Sequence, residues 1–368
     1  MTQDELIERA LEQILDIWQV DTKDLRQTGP KGFDWLPGSH LVSVRAVPVD
    51  PKDPAYLMLQ NMSGVDPREN GVRLSVTTRL LKEFPINDTN AINLLNKMAP
   101  MLSSTYSLVY PPTAIIEAAN GPQGPFDLEL FSSVYIDKNL LDWLPKFFAQ
   151  ATIMQAIDAE LSGYSLPDVL GGGQPAYEGG NKSEQLDGIF DVREQIFVPE
   201  GLQPSRWQGS DEFADFVEKF GKSEGCIANA DPKGLTAEVP FGNETALIQC
   251  WTDQSHPKLG NGLLVTLQLP YGFADHTDVG AAALNFFESR TWTEVPNFGC
   301  WHSRNIGSAR GTVPAHSTFI PNTLYRPGLI QNLILWEAGR TRWVRHTFFP
   351  ELRDALMSEI YEERFRGD

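Results

Sequence analysis

Apolar residues near the start of the chain recur every three or four positions. Leu6, Ile7, Ala10, Leu11, Ile14, Leu15 and Trp18 therefore share one face of a helix. Thr2 and Glu5 stand at capping-box spacing, which fixes where that helix begins. The period then changes. Residues 19–40 are polar and broken by Gly29-Pro30 and Pro37-Gly38, and strand-like stretches follow near 41–49, 55–62 and 71–80. Turn residues at 51–54 and 66–71 leave no room for crossovers, so these strands are expected to form an antiparallel meander. A helix over 88–102 comes next. Strands over 105–117 and 126–137 follow around Asn120-Gly121-Pro122, and then a helix over about 139–161.

The same succession begins again near residue 210. Ser210 and Phe213 open a short helix to about 220, and strands are expected near 226–231, 235–241, 245–252 and 262–270. A helix near 275–287 carries Val279, Ala283, Leu284, Phe286 and Phe287. Further strand material is read at 298–309, 315–320 and 329–348, with a last helix from Pro350, where proline suits a first turn. Between the halves, residues 163–209 hold 9 Gly and 4 Pro, about twice the frequency of the whole chain, and read as a linker with one apolar anchor at 189–198.

Three pairs of markers relate the halves. Asp4-Glu5-Leu6 answers to Asp211-Glu212-Phe213, Ala91-Ile92-Asn93 to Ala283-Leu284-Asn285, and Trp143-Leu144-Pro145 to Phe348-Phe349-Pro350. The fold class expected is α+β: two tandem α-β-β-β-α-β-β-α domains, at 1–162 and 210–368, each an antiparallel sheet with helices on one face, related by a pseudo-twofold. That element order resembles the type III secretion chaperone-like fold, also found in bacterial YbjN-like proteins. The resemblance covers both halves and rests on topology. It implies a homodimer-like arrangement that binds an extended segment of a partner protein. Two copies in one chain would make a monomeric pseudo-dimer, or a homodimer of such chains.

Composition narrows the function classes. Across 368 residues the formal net charge is −18, shared as −10 over 1–184 and −8 over 185–368. Neither half is a basic module of the kind that phosphate backbones require, so nucleic acid is not an expected partner. No apolar run is long enough for a membrane helix, so no membrane partner is expected. The chain opens Met1-Thr2-Gln3-Asp4-Glu5, without the basic start of a secretory signal. Cys226, Cys250 and Cys300 are too few and too odd in number for a disulfide framework, so a cytoplasmic location is expected.

No catalytic constellation stands at a diagnostic spacing, and no catalytic, cofactor-binding or metal residue is assigned. Gly221-Lys222-Ser223-Glu224-Gly225 has the letters of a nucleophile elbow, but it follows a helix and precedes a strand, the reverse of that motif's context. Gly179-Gly180-Asn181-Lys182-Ser183 lacks the glycine before lysine that a P-loop needs. Arg340, Arg342, Arg345 and His346 read as a solvated strand edge, and Trp301, Trp336 and Trp343 as core residues of neighbouring strands. The expected function is non-enzymatic protein binding of a chaperone-like kind, with no cofactor. The alternative is an enzyme or metal-binding protein centred on Cys300, His302 and His316, since thiol and imidazole are the donors that hold soft metals or activate a nucleophile.

Overall fold

A computed structural model describes residues 1–27, 31–49, 71–84, 107–109, 126–162, 166–177, 187–188, 190–192, 194–196, 201–207, 211–220, 226–256, 259–270, 281, 284–285, 288, 299–305 and 312–348. The expected strand at 55–62, the helices at 88–102 and from Pro350, and the glycine motifs at 179–183 and 221–225 lie outside these residues.

Helix α1 (Gln3–Trp18) forms as its pattern predicts. Thr2 Oγ1 accepts from the Glu5 amide at 3.2 Å and Glu5 Oε2 accepts from the Thr2 amide at 2.8 Å, closing the capping box. Leu6, Ile7, Ala10, Ile14 and Trp18 are buried. Strands β1 (Leu25–Gln27), β2 (Gly32–Trp35), β3 (Val42–Pro48), β4 (Val72–Phe84), β5 (Ser107–Val109) and β6 (Phe126–Ile136) follow, and then helix α2 (Leu144–Ser162). The sheet runs β1-β2-β3-β4-β6-β5, with every pair antiparallel. Both helices pack on it and on each other. The Trp18 ring stacks on Trp35 at 5.2 Å, and its indole donates to the Ala149 carbonyl in α2 at 2.8 Å.

The second half contains α4 (Glu212–Phe220), β8 (Ile227–Asp231), β9 (Gly234–Phe241), β10 (Glu244–His256), β11 (Gly260–Gln268), β12 (Cys300–Asn305), β13 (Thr312–Pro321) and helix α5 (Leu329–Trp343). A five-residue π-helical turn, Val344–Phe348, continues from α5. Its sheet runs β8-β9-β10-β11-β13-β12, again antiparallel throughout. Element for element this is the path of the first sheet. Residues 281, 284 and 285, within the expected middle helix, and 288, just past it, are helical and buried.

Three expectations change. Residues 329–348 are helical, not strand, so Trp336 and Trp343 lie on α5 and only Trp301 is on a strand. The arginine cluster is accordingly on a helix end, and Arg340 is 1% exposed. The helix that follows the strands of each sheet begins at Leu144 in the first half and at Leu329 in the second. The described parts of 163–209 also pack. Helix α3 (Leu166–Leu170) leads to β7 (Gln174–Pro175), which pairs with β4, and Trp207 is fully buried. One hydrophobic cluster runs through both halves, β5 touches β12, and Arg326 lies 4.3 Å from the centre of the Trp143 ring. Among the described residues no helix is long and apolar enough to cross a membrane.

Candidate functional site

The register of β12 against β13 decides what Cys300, His302 and His316 can do together. Residues directly opposite in an antiparallel pair point to the same face. Cys300 faces Ser317, His302 faces Ala315, and His316 faces Trp301. Cys300 and His302 therefore share the face away from α5, while His316 points towards α5. The three do not converge, and no group of three potential metal ligands occurs among the described residues.

On the outer face, His302 Nδ1 donates to the Ser303 carbonyl at 3.1 Å. That fixes the tautomer, so Nε2 accepts from Ser317 Oγ at 2.8 Å. The pair has the spacing of a nucleophile and base. Burial, however, pushes the His302 pKa down to about 4, with the His316 and Arg304 charges adding to it against the Ser303 bond. The ring is neutral at pH 7 and too weak a base to activate serine. Both side chains are buried, so the pair is a satisfied contact within the sheet.

The inner face holds an ionic cluster absent from the sequence reading. Arg340 Nε and Nη2 both reach Glu288 Oε1 at 2.8 Å, and Nη1 donates to Glu337 Oε1 at 2.7 Å. Glu337 Oε1 also accepts from His316 Nδ1 at 3.1 Å, and Glu288 Oε2 accepts from the Trp301 indole at 2.7 Å. All five side chains are buried. Desolvation works to raise the Glu337 pKa, but the Arg340 charge and then His316 outweigh it and hold it below the usual carboxylate range. Three positions N-terminal to Glu288, Asn285 grips the backbone of Trp301, accepting from its amide and donating to its carbonyl, each at 2.7 Å. This helix side chain satisfies the outer edge of β12 as a further strand would.

The first half has a neutral counterpart. Gln155 donates to Ser132 Oγ in β6 at 2.9 Å and accepts from Thr78 Oγ1 in β4 at 3.4 Å. Gln155 stands eleven residues after Leu144, as Arg340 stands eleven after Leu329. Near the end of α2, Glu160 is half-buried, with its side chain 8% exposed, and accepts from the amides of Ser39 and His40 at 2.7 and 2.8 Å and from His40 Nδ1 at 3.2 Å. Burial works to raise its pKa, but the His40 bonds outweigh it and the net shift is downward. A carboxyl depressed in the folded state contributes stability that is present above its unfolded value, about 4.3, and is lost as pH falls through the lower folded value. Glu160→Gln is therefore expected to cost roughly 2–3 kcal/mol at pH 7. In urea titrations at pH 7 and pH 3 the gap from wild type should narrow at the lower pH. An equal gap at both would exclude an ionised Glu160 as the source.

The four sheet ends differ in what guards them. β12 is gripped by Asn285 and touches β5. β1 is only three residues long, carries Arg26, and follows a Lys23–Asp21 ion pair at 2.8 Å. Among the described residues, β8 has none of these devices. Its residues 227–230 are Ile, Ala, Asn and Ala, without charge, proline or a register shift against β9. Ile227 is 56% exposed, and only Ala228 of the strand is buried. Half-exposed Leu247, Trp251 and Leu264 continue the same outer sheet face, with Arg304 over the Trp251 ring at 5.7 Å. Sequence reasoning found this strand, but not that it ends a sheet. Compared with protein-family models, curated proteins and solved structures, the chain matches none.

Proposed function

We propose that the chain is a non-enzymatic, chaperone-like protein of the cytoplasm that binds an extended protein segment along β8. The observation that carries this reading is the uncharged, exposed edge over residues 227–230 of β8, beside a partly exposed apolar sheet face. An added strand would satisfy the backbone groups of that edge, and alternate side chains would rest on Ile227 and its neighbours. A tandem duplication of the type III secretion chaperone-like fold accords with the common strand path of the two sheets. The matched placing of Gln155 and Arg340 supports the same history. Two such halves in one chain supply a pseudo-dimer without a second subunit.

A photoreactive residue at Asn229, which is exposed on β8, tests the reading. We expect adducts with discrete protein segments that disappear when Ile227→Lys charges the edge. A control at Leu202, 81% exposed and away from β8, should give no discrete segment. The same adducts from both positions, or none from Asn229, would end the proposal.

A further inference from the structure

We infer that the segment taken by β8 is acidic at the end lying beside Cys226 and apolar opposite Ile227. This inference rests on the edge-binding reading above and names the chemistry of its partner. The chain is strongly acidic as a whole and should repel acidic peptides. One end of β8 breaks that field. Of the basic residues that end α5 and begin the π-helical turn, Arg340 is turned inward and spent on Glu288 and Glu337. Arg342, Arg345 and His346 are exposed.

Packing carries these residues towards the edge. Helix α5 lies against β9 and α4, and α4 lies against β8. Arg342 is within electrostatic reach of the Cys226 thiol, immediately before β8. His346 feels the charges of Arg345 and Arg342, so the three form one group. After burial, those two charges also press the His346 pKa down, leaving the two guanidinium groups as the positive charge at neutral pH. A π-helical turn is a rare backbone form that recurs at functional sites, and here it presents Arg345 and His346. The opposite end of β8 carries one exposed cation, Lys233, beside the exposed Asp231. There Asp231 is folded onto the turn and accepts from the Lys233 and Gly234 amides at 2.7 and 3.0 Å. The edge is thus cationic at its start, where Arg342 approaches Cys226, and without net charge in its middle and at its turn, where Asp231 and Lys233 offset each other.

Random ten-residue peptides displayed on phage, selected against the full chain, provide the test. Wild-type selections should yield alternating apolar residues with Asp or Glu confined to one end. A fluorescein-labelled peptide of that consensus should bind Ile227→Lys and the double variant Arg342→Glu/Arg345→Glu about tenfold or more weakly. Lysines in place of its acidic residues should restore binding to the double variant alone, and added salt should weaken the wild-type complex. Each variant is first matched to wild type in urea midpoint, so that loss of binding is not loss of fold. Selected peptides without a fixed acidic end, or a charge swap that restores nothing, would overturn this inference while the Ile227→Lys loss upheld the edge. No enrichment at all, or sedimentation showing a dimer that Ile227→Lys dissociates, would overturn the edge-binding reading itself.

Discussion

Replacing Arg340 with methionine is expected to destabilise the second half by about 3–5 kcal/mol, the usual cost of removing one partner from a buried ion pair. Arg340 is the only cation of the described cluster that meets both carboxylates, Glu288 and Glu337. Its loss leaves two buried charges with His316 and the Trp301 indole as their described partners. The pH dependence distinguishes this from simple loss of packing. In the wild type, Glu337 lies below the usual carboxylate range, so its contribution is present above the unfolded pKa and lost as pH falls through the folded value. In Arg340→Met, Glu337 is buried without that cation, and its folded pKa rises. The variant should therefore lose ground to wild type at pH 7 and recover it towards pH 4. Urea titrations followed by tryptophan fluorescence would read both. Adding Glu288→Gln and Glu337→Gln to Arg340→Met should return most of the loss at pH 7, because the first half already holds this position with neutral Gln155. A deficit independent of pH, or one the added substitutions leave in place, would mean that shape and not charge makes Arg340 matter.

That cluster also explains what the sequence concealed. Helix α1 was legible because its inward positions are all apolar and its cap has a recognisable spacing. Helix α5 has the same three-and-four periodicity, Leu329, Ile330, Leu333, Ile334, Glu337, Arg340, Thr341, but the inward positions Glu337, Arg340 and Thr341, which precede the buried Trp343, are polar or charged. Counted as outward residues, they break the helical period, and Ile, Leu and Trp between them read as strand. Strands β1 and β2 were too short, at three and four residues, to show alternation. Register keeps Cys300, His302 and His316 from meeting on one face. Spacing within one strand correctly put Cys300 and His302 on a common face, but the face of His316 depends on which residue of β12 it meets, and that is Trp301. Edges are invisible for a similar reason. The composition of β8 is apparent from sequence, whereas its place at the end of a sheet is set by the pairing of every other strand.

Trp207→Ala is expected to cost about 3–5 kcal/mol, the range for truncating a buried tryptophan, although Trp207 stands in a Gly/Pro-rich stretch. Its side chain is fully buried and meets the Tyr325 ring edge-on at 5.3 Å. The residues leading to it are fastened to the end of the second sheet. Asn322 accepts from the Arg206 amide at 3.0 Å and donates to the Gln203 and Pro204 carbonyls at 3.1 and 3.0 Å. Gly260, at φ +77°, comes so close to Gly201 that a Cβ would lie 2.3 Å from the Gly201 oxygen, so only glycine permits this backbone contact. Residues 201–207 are thus an integral part of the second half, docked where β11 begins and β13 ends. Because Arg206 also lies over Tyr325 at 5.3 Å, and Tyr325 directly precedes the Arg326 that caps Trp143, loosening this strap should reach the contact between halves. Urea midpoints and limited proteolysis would measure both effects. Trp207→Ala should lower the midpoint and open 201–207 to cleavage, and Asn322→Ala should do so more weakly. A variant as stable and as resistant as wild type would mean that the segment is a tether whose docking contributes nothing.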